Sequence, residues 1–338
     1  MDLSIVVPCY NEQDNLEGLR NALQHVLPEV SDEYEVILVD DGSSDATLAE
    51  AHRLSEEDPA YRVLSLSRNF GKEAALIAGL THARGDRVGI IDADLQHPPE
   101  LFARMVPLLD SGYDQVVARR DRKGESAIRS LVTKLYYRAV NRLVDVPLQD
   151  GVGDFRLLSR RAVDALLSMP ECNRFSKGLF AWIGFDTATI SYRNATRAAG
   201  KSKFSFPKLL NYGIDGIVSF NSKPLRASIY LGLIITALAF CYAGFVVAQT
   251  LLHGVGVPGY ATIIVSVVGI GGINLLFLGV IGEYLGRIYS ESKRRPLFLV
   301  KDSTPEPEAV PRPRTFSTVA PPDQRWRGDG QLPVSGAL

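Results

Sequence analysis

Two aspartates separated by one residue follow a strongly apolar run in the first third of the chain. Asp92-Ala93-Asp94-Leu95-Gln96 comes directly after Val88–Ile91. In a β-strand, residues i and i+2 point to the same face, so Asp92 and Asp94 should converge while Ala93 turns away. Two carboxylates and the amide oxygen of Gln96 are hard ligands that suit Mg²⁺ or Mn²⁺. Such ions usually take further ligands from phosphate oxygens, so the segment predicts a nucleotide diphosphate site.

Polar clusters also follow the two preceding apolar runs. The segment 8–12 (Pro-Cys-Tyr-Asn-Glu) follows residues 3–7, and the segment 40–45 (Asp-Asp-Gly-Ser-Ser-Asp) follows residues 35–39. The carboxyl ends of parallel strands meet at one edge of an α/β sheet, which is where ligands bind. We therefore expect the three clusters to lie together.

Helix capping is the alternative explanation for these clusters. Asn11 or Asp14 would cap one helix, and Ser44 or Asp45 would cap the next. Capping does not explain why acidic residues recur at the same end of each strand.

Alternation of strands and helices predicts the fold class. Residues 62–67, 113–119 and 187–193 resemble strands, and residues 71–83 resemble a helix. One helix face is formed by Leu16, Leu19, Leu23, Val26 and Leu27. This spacing predicts a mostly parallel sheet covered by helices. We also expect a helix over residues 125–144, a Gly-flanked acidic loop over 150–156 and a flexible basic loop over 197–203.

Composition excludes several classes of protein. The net charge is −1, and no basic stripe long enough to follow a nucleic-acid backbone is present. Cys9, Cys172 and Cys241 are too few and too far apart for a disulfide framework or a zinc site, which favours a reducing, cytosolic setting. The short apolar run after Met1 does not predict a secretory signal peptide.

A long uncharged region predicts a membrane hairpin. No Asp, Glu, Lys or Arg occurs from Ala227 to Gly282, and one span needs roughly 20 apolar residues. We place two transmembrane helices at about 227–252 and 259–282, within a hairpin of residues 225–288. Basic residues flank both ends, which puts both termini and the preceding domain on the cytoplasmic side of the inner membrane. A buried soluble hairpin is the alternative.

The regions around the hairpin complete the predicted organisation. Residues 1–205 form the catalytic domain, and 206–224 form an amphipathic helix that lies on the membrane or packs on the protein surface. Residues 289–300 are a juxtamembrane segment. The Pro-rich, polar stretch 301–338 is predicted to be a disordered tail.

Six motifs in order resemble glycosyltransferase family 2, specifically the polyisoprenyl-phosphate glycosyltransferases of GT-A fold, in their bacterial undecaprenyl-phosphate glucosyltransferase branch. The resemblance covers residues 3 to 300, and the motifs lie at 8–12, 40–45, 67–73, 92–99, 153–156 and 282–287. It implies a Rossmann-like GT-A domain followed by interfacial helices and a two-helix transmembrane hairpin.

The resemblance also implies roles for individual residues. The nucleotide would contact Pro8, Tyr10, Asn11, Glu12, Asp40, Asp41, Lys72, Asp92 and Ala93. The Mg²⁺ or Mn²⁺ ion would be held by Asp92, Asp94 and Gln96, with His97 in a supporting position. The lipid phosphate would be received by Arg119, Arg129, Thr133, Arg197, Ser202 and Lys203. From the residues alone, these basic groups could equally bind lipid headgroups or form a solvated surface.

The implied reaction is inverting transfer of one sugar from a nucleotide diphosphate sugar, such as UDP-glucose, to an undecaprenyl-type phosphate at the cytoplasmic membrane face. Asp154 and Asp94 are the expected catalytic residues. Asp154 would act as a base, orient Arg156 or hold a sugar hydroxyl; capping of the helix after Leu158 is its structural alternative. A homo-oligomer is compatible with the glycines at 269, 271 and 272, which allow close helix approach.

Three other functions compete with this one. A processive polysaccharide synthase would carry a Gln-x-x-Arg-Trp motif, whereas Arg325-Trp326 lies in the tail with Pro322 in place of the Gln. A non-catalytic, membrane-anchored nucleotide-sugar-binding subunit should have lost part of the acidic motif, and Asp92, Asp94 and Asp154 are all present. A lipid flippase would need more than two helices.

Overall fold

The protein is described from a computed structural model that covers residues 1–121, 152–169, 171, 174, 176–193 and 259–304, with scattered positions between 230 and 252. The elements, in chain order, are β1 (Leu3–Cys9), α1 (Gln13–Val30), β2 (Tyr34–Asp40), α2 (Thr47–Glu57), β3 (Tyr61–Leu66), α3 (Lys72–His82), β4 (Arg87–Ile90), a 3₁₀ turn (Pro99–Leu101), α4 (Phe102–Asp110), β5 (Gln115–Asp121), β6 (Val152–Ser159), α5 (Arg160–Leu167), α6 (Ser176–Trp182), β7 (Thr187–Arg193), α7 (Tyr260–Ser292) and β8 (Val300–Ser303).

The strands form one eight-stranded sheet in the order β7-β5-β6-β4-β1-β2-β3-β8. Strands β1 to β4 run parallel, as do β5 and β7, whereas β6 and β8 are antiparallel to their neighbours. Successive strands proceed from β1 to β3 on one side of β1, and β4 lies on the other. The strand order therefore reverses between β1 and β4, which opens a crevice at their carboxyl ends. The predicted mostly parallel α/β sheet is confirmed.

Each face of the sheet carries its own hydrophobic core. Ile5 and Val7 of β1 pack in one core with Leu16, Leu19 and neighbouring residues of α1. Val6 packs in the other core, which is lined by α3, α5 and α6. Neighbouring residues of a strand face opposite sides, so a central strand covered on both faces is apolar throughout. This explains why β1 is apolar except at Ser4, whose buried hydroxyl donates to Glu35 at 2.6 Å.

Strand β6 replaces the acidic loop predicted over residues 150–156. Its residues Phe155 and Leu157 are fully buried in the first core, and Leu158 is buried in the second. Burial on both faces outweighs the weak strand propensity of Gly153. The predicted capping role of Asp154 is also wrong, because the Ser159 hydroxyl accepts the Ala162 N–H at 3.2 Å and caps α5.

The sheet is completed by residues that follow the long apolar helix. β8 pairs with β3, with Ser65 opposite Asp302, and the Leu299 carbonyl accepts the Ser67 N–H at 2.8 Å. The prediction of a disordered tail starting at residue 301 is therefore wrong for residues 301–303. Pairing with an open sheet edge orders a polar segment that has no apolar pattern of its own.

Within the part of the chain that is described, one segment, Gly269–Ser292, is long and apolar enough to cross a membrane. Helix α7 as a whole has 33 residues, about 50 Å at 1.5 Å per residue, and extends ten residues beyond the predicted end of the second span. The described positions between 230 and 252 are helical, and a Cβ built on Gly232 would lie 3.7 Å from the ring of Phe277. The two-helix hairpin remains a prediction. The predicted helices over 125–144 and 206–224 lie outside the described residues.

Candidate active site

The polar clusters predicted to meet at one sheet edge do so, at the carboxyl ends of β1, β2 and β4. We call this the carboxyl edge. Cys9 lies opposite Asp40 in the β1–β2 pair, and Val6 lies opposite Ile90 in the β1–β4 pair. The first two clusters also bond to each other, because Asn11 accepts the Ser44 N–H at 2.9 Å.

Strand β6 brings Asp154 to the same edge. Its register with β4 pairs Ile90 with Arg156. Asp92 follows the end of β4 by two residues and Asp154 precedes Arg156 by two, so both carboxylates lie at this edge. The antiparallel strand thus supplies a carboxylate to an edge otherwise built by parallel strands.

Lys72 bridges these two carboxylates. Its Nζ atom lies 2.6 Å from Oδ1 of Asp92 and 2.7 Å from Oδ2 of Asp154. Burial opposes the charge on the ammonium group, but Asp154 and Asp92 outweigh it and raise the pKa of Lys72. Burial likewise opposes the charge on both carboxylates, and Lys72 nevertheless holds their pKa values below the ordinary value. The three groups are therefore all charged at neutral pH.

His97 supports Asp92 from the other side. Its Nε2 atom lies 3.8 Å from Oδ2 of Asp92, and its Nδ1 atom lies 2.6 Å from the Tyr192 hydroxyl. The imidazole also stacks on Phe155, with 5.1 Å between ring centroids. His97 is thus packed between aromatic rings, as a residue that positions Asp92.

Asp94 and Gln96 lie in a turn instead of a strand. β4 ends at Ile90, and Leu95 has a φ of +57°, so the alternation argument that placed Asp92 and Asp94 on one face does not hold. Gln96 donates both its backbone N–H (3.1 Å) and its amide NH₂ (2.6 Å) to Asp94. Among the described residues, no group of three or more His, Cys, Asp or Glu side chains could hold a metal.

Asp40 and Asp41 are buried, with 2% and 3% of their surface exposed. Asp40 accepts the Ser43 N–H at 3.1 Å. Asp41 accepts the N–H groups of Phe70 (2.7 Å) and Gly71 (2.9 Å). Burial raises the pKa of Asp41 despite these two bonds. Asp41 therefore fixes the loop of residues 67–71, which leads directly into Lys72, and its predicted contact with a nucleotide stays a prediction.

The other residues expected at the nucleotide differ in exposure. Tyr10 is exposed, Pro8, Asn11 and Glu12 are half-buried, and the side chain of Ala93 lies in the core. Any contact of Ala93 with a ligand would have to come from its backbone.

The predicted helix caps are only partly correct. Neither Asn11 nor Asp14 caps α1, because the helix begins after Glu12 and Asn11 bonds to the second cluster instead. For α2, Asp45 accepts the Thr47 N–H at 3.0 Å, while Ala46 holds the cap position.

Behind Asp154 lies a buried support that the sequence did not reveal. Arg156 stacks on Phe180, with its guanidinium carbon 3.5 Å from the ring centroid, and donates to the Gly153 carbonyl at 2.8 Å. Burial lowers the pKa of Arg156 to about 10. Beside it, Glu73 accepts the N–H of Ser176 at 3.1 Å and also its hydroxyl, and burial raises the pKa of Glu73.

Of the residues expected to bind lipid phosphate, the described part of the chain contains Arg119. It lies exposed near the end of β5, opposite Val152 of β6. The other five, Arg129, Thr133, Arg197, Ser202 and Lys203, lie outside the described residues.

A doubly wound sheet with charged carboxylates at its switch point defines an α/β enzyme that binds a ligand at the carboxyl edge. Residues 4–167 match the model of Glycosyl transferase family 2. The "Putative glycosyltransferase CsbB" of Bacillus subtilis (strain 168) is 49% identical over 301 residues, which is 89% of this chain and 92% of that protein. The chain belongs to glycosyl transferase family 2, and it is a glycosyltransferase with the GT-A fold.

Other similar proteins carry more specific names. The "Bactoprenol glucosyl transferase" of Shigella phage SfV is 39% identical over 303 residues, covering 89% of this chain and 99% of that protein. Among solved structures, the mannosyltransferase PcManGT of Pyrobaculum calidifontis, in complex with GDP-Man and Mn²⁺, has a TM-score of 0.43 at 16% identity and covers 86% of each chain. Glucosyl-3-phosphoglycerate synthase of Mycobacterium tuberculosis also has a TM-score of 0.43, at 20% identity, covering 64% of this chain and 77% of that one. These two structural likenesses are remote.

Proposed function

We propose that the protein transfers one sugar from a nucleotide diphosphate sugar to undecaprenyl-type phosphate, with inversion, at the cytoplasmic face of the membrane. The observation that carries the proposal is the Asp92–Lys72–Asp154 cluster at the carboxyl edge. The near full-length similarity to proteins named as bactoprenol glucosyl transferases supports the acceptor. Glucose, as in UDP-glucose, is the donor sugar that these names favour.

The residues at the carboxyl edge fit a divalent cation of the Mg²⁺ or Mn²⁺ type. Asp92 and Asp94 offer carboxylate oxygens, and few protein ligands are expected where a diphosphate supplies the rest. We assign the cation to Asp92, Asp94 and the amide oxygen of Gln96, whose NH₂ group donates to Asp94. A bound cation would act as a Lewis acid on the diphosphate leaving group.

The acceptor needs little activation by the protein. A phosphate monoester has a second pKa of about 6 and is already largely a dianion in the cytosol. The protein must instead bring two anions together, for which Arg119 is the described candidate. Arg129, Thr133, Arg197, Ser202 and Lys203 are proposed to complete the phosphate site, and the nucleotide is proposed to lie over Pro8, Tyr10, Asn11 and Glu12.

The proposed function also requires the protein to sit at the membrane, where its lipid acceptor is found. Helix α7 is long enough to span a bilayer, and β8 joins the sheet directly after it, so the sheet would lie on the side of the C-terminal end of α7. The basic residues Lys293, Arg294 and Arg295 at that end favour the cytoplasmic side. The two-span hairpin, the cytoplasmic termini and a homo-oligomer in the membrane are parts of the proposal that await tests of topology and mass.

A transfer assay tests the reaction. Full-length protein in detergent is given undecaprenyl phosphate, Mn²⁺ or Mg²⁺ and a panel of labelled nucleotide sugars, and label entering the organic phase is counted. We expect one donor to give a lipid-soluble product that EDTA abolishes. Absence of product from every donor, with an acceptor shown to be competent, would contradict the proposal.

Matched variants test the metal assignment. Asp92→Ala and Asp94→Ala should lower transfer at least about a hundredfold without affecting membrane insertion. The control is Asp110→Ala, which removes an exposed carboxylate paired with Arg87 far from the edge. Substantial activity of the Asp94 variant would refute the assignment.

A further inference from the structure

Lys72 occupies the space between the carboxylate assigned to the cation and the carboxylate nearest the expected sugar. Its ammonium group lies within 2.7 Å of both, and on Asp92 it contacts Oδ1, one of the two carboxylate oxygens that a metal could use. A lysine ammonium is a compact positive charge with three donors. It therefore neutralises part of the negative charge of the two carboxylates, which would otherwise repel each other.

The backbone before Lys72 is fixed, whereas its side chain is long and is held, among the described residues, only at the ammonium group. Asp41 holds the N–H groups of Phe70 and Gly71, and Gly71 adopts a φ of +100° that an L side chain rarely accepts. Helix α3 begins at Lys72 itself. The Lys72 side chain is 47% exposed and has a flexible four-carbon stem. The ammonium group can therefore leave Asp92 without any movement of α3.

We propose that Lys72 is a built-in competitor of the divalent cation, which neutralises Asp92 and Asp154 before the donor binds and is displaced from Asp92 when the cation arrives. The inference rests on the proposed function, because it takes Asp92 as a ligand of the cation. Two positive charges cannot share one carboxylate oxygen at close range without strong repulsion. A diphosphate adds negative charge to the same place, so the cation should bind well only together with the donor.

The test is the affinity for Mn²⁺ alone, without donor, measured on the full-length protein by the electron paramagnetic resonance signal of free Mn²⁺. Lys72→Met removes the charge and keeps most of the stem. We expect it to bind Mn²⁺ at least tenfold more tightly than the wild type. Lys72→Arg, which keeps the charge, should retain the weak wild-type affinity. Lys301→Met, an exposed lysine on β8, is the control and should change nothing.

A Lys72→Met protein that folds but binds Mn²⁺ no more tightly than the wild type would overturn the inference. If this variant does not fold, Lys72→Gln, which keeps a hydrogen-bond donor near the carboxylates without the charge, takes its place under the same criterion. Failure of the inference and of the proposed function are distinguishable. Wild-type transfer with unchanged Mn²⁺ affinity in the variant removes only the inference, whereas absence of wild-type transfer removes the proposed function.

Discussion

The charge state of Asp154 narrows the role of this residue. A general base works best when its pKa lies near the operating pH, and Lys72 keeps the pKa of Asp154 below the ordinary carboxyl value. An acceptor that is already anionic does not require a base. We therefore expect Asp154 to orient the sugar and stabilise positive charge that develops on it, and not to abstract a proton.

Replacement of Asp154 by Asn tests this role. The variant keeps the shape of the side chain and removes its charge, so we expect kcat for transfer to fall by about 100-fold or more. The wild-type rate should not change between about pH 7 and pH 9, because a low-pKa carboxylate does not titrate there. If the wild-type rate does change with pH in that range, and the change is absent in the variant, proton transfer would be assigned to Asp154 instead.

Gly42 is a second residue on which the site depends. It has a φ of +65°, and a Cβ at this position would lie 2.5 Å from the carbonyl carbon of Arg68 in the loop that precedes Lys72. Gly42→Ala should therefore displace that loop, and we expect it to lower both the melting temperature and the rate of transfer.

Gly184→Ala provides the matched control for Gly42→Ala. Gly184 has nearly the same φ, +67°, but the nearest atom to an added Cβ is 3.8 Å away. This variant should carry only the backbone strain, about 1–2 kcal/mol of unfolding free energy, and keep its rate of transfer. Equal effects of the two substitutions would show that contact with the loop is unimportant.

At the scale of the elements, the apolar runs of the sequence predicted most of the sheet correctly. β1, β2, β4 and β7 lie within two residues of their predicted bounds, because each is an apolar or alternating run with clear turn residues at its ends. β6 was missed because Gly153 and Asp154 lie near its start and resemble loop residues. Its position beside β4 depends on long-range pairing, which no local pattern records.

In the candidate site, too, the sequence predicted what depends on local patterns and missed what depends on long-range contacts. The meeting of the polar clusters at the carboxyl edge followed from topology alone. The position of Asp154 near Asp92 did not, because it depends on strand β6. The bridge by Lys72 could not be derived, because it joins residues from three separate elements. Burial of Asp41 was also not evident from the sequence, since a paired acidic motif after a strand looks the same whether it faces a ligand or a loop.

The junction of β5, β6 and α5 is held by Asp114, and its stability should depend on pH. Asp114 accepts from Arg161 and from the Ser159 hydroxyl (2.9 Å), and the Arg161 guanidinium, opposed in part by burial, lowers the pKa of Asp114 from 3.8. A carboxyl whose pKa is lowered in the folded state stabilises the fold above its unfolded pKa. That contribution is lost as the pH falls through the lower, folded value.

At pH 7, the Asp114→Asn variant should therefore have a lower melting temperature than the wild type. The difference should shrink progressively once the pH falls below about 3.8, where the carboxyl of the unfolded chain becomes protonated while that of the folded protein is still charged. Thermal melting across this range measures the effect. A difference that does not depend on pH would show that the carboxylate charge is not what stabilises the junction.

At the scale of the whole molecule, the catalytic sheet and the long apolar helix are physically linked. Leu297 and Phe298 pack against the second core, and residues 300–303 pair with β3 next to the loop that precedes Lys72. A chain that ends at residue 296 loses this strand and its apolar contacts. We expect its melting temperature to fall by at least about 4 °C and its rate of transfer to fall as well.

A chain that ends at Thr304 is the control for that truncation. It retains β8 and lacks only residues 305–338, the part of the predicted disordered tail that the strand does not include. Its stability and rate should equal those of the full-length protein. A comparable loss in both truncated proteins would mean that the tail, and not β8, supports the sheet.

The late position of β8 has a consequence for biosynthesis. The ribosome completes β1 to β7 long before it reaches residue 300, so the edge of β3 is open while the apolar helix is being made. An open strand edge can pair with another chain. Delivery of the nascent chain to the membrane before release would therefore protect the enzyme from aggregation, and the sheet would close only after α7 has been translated.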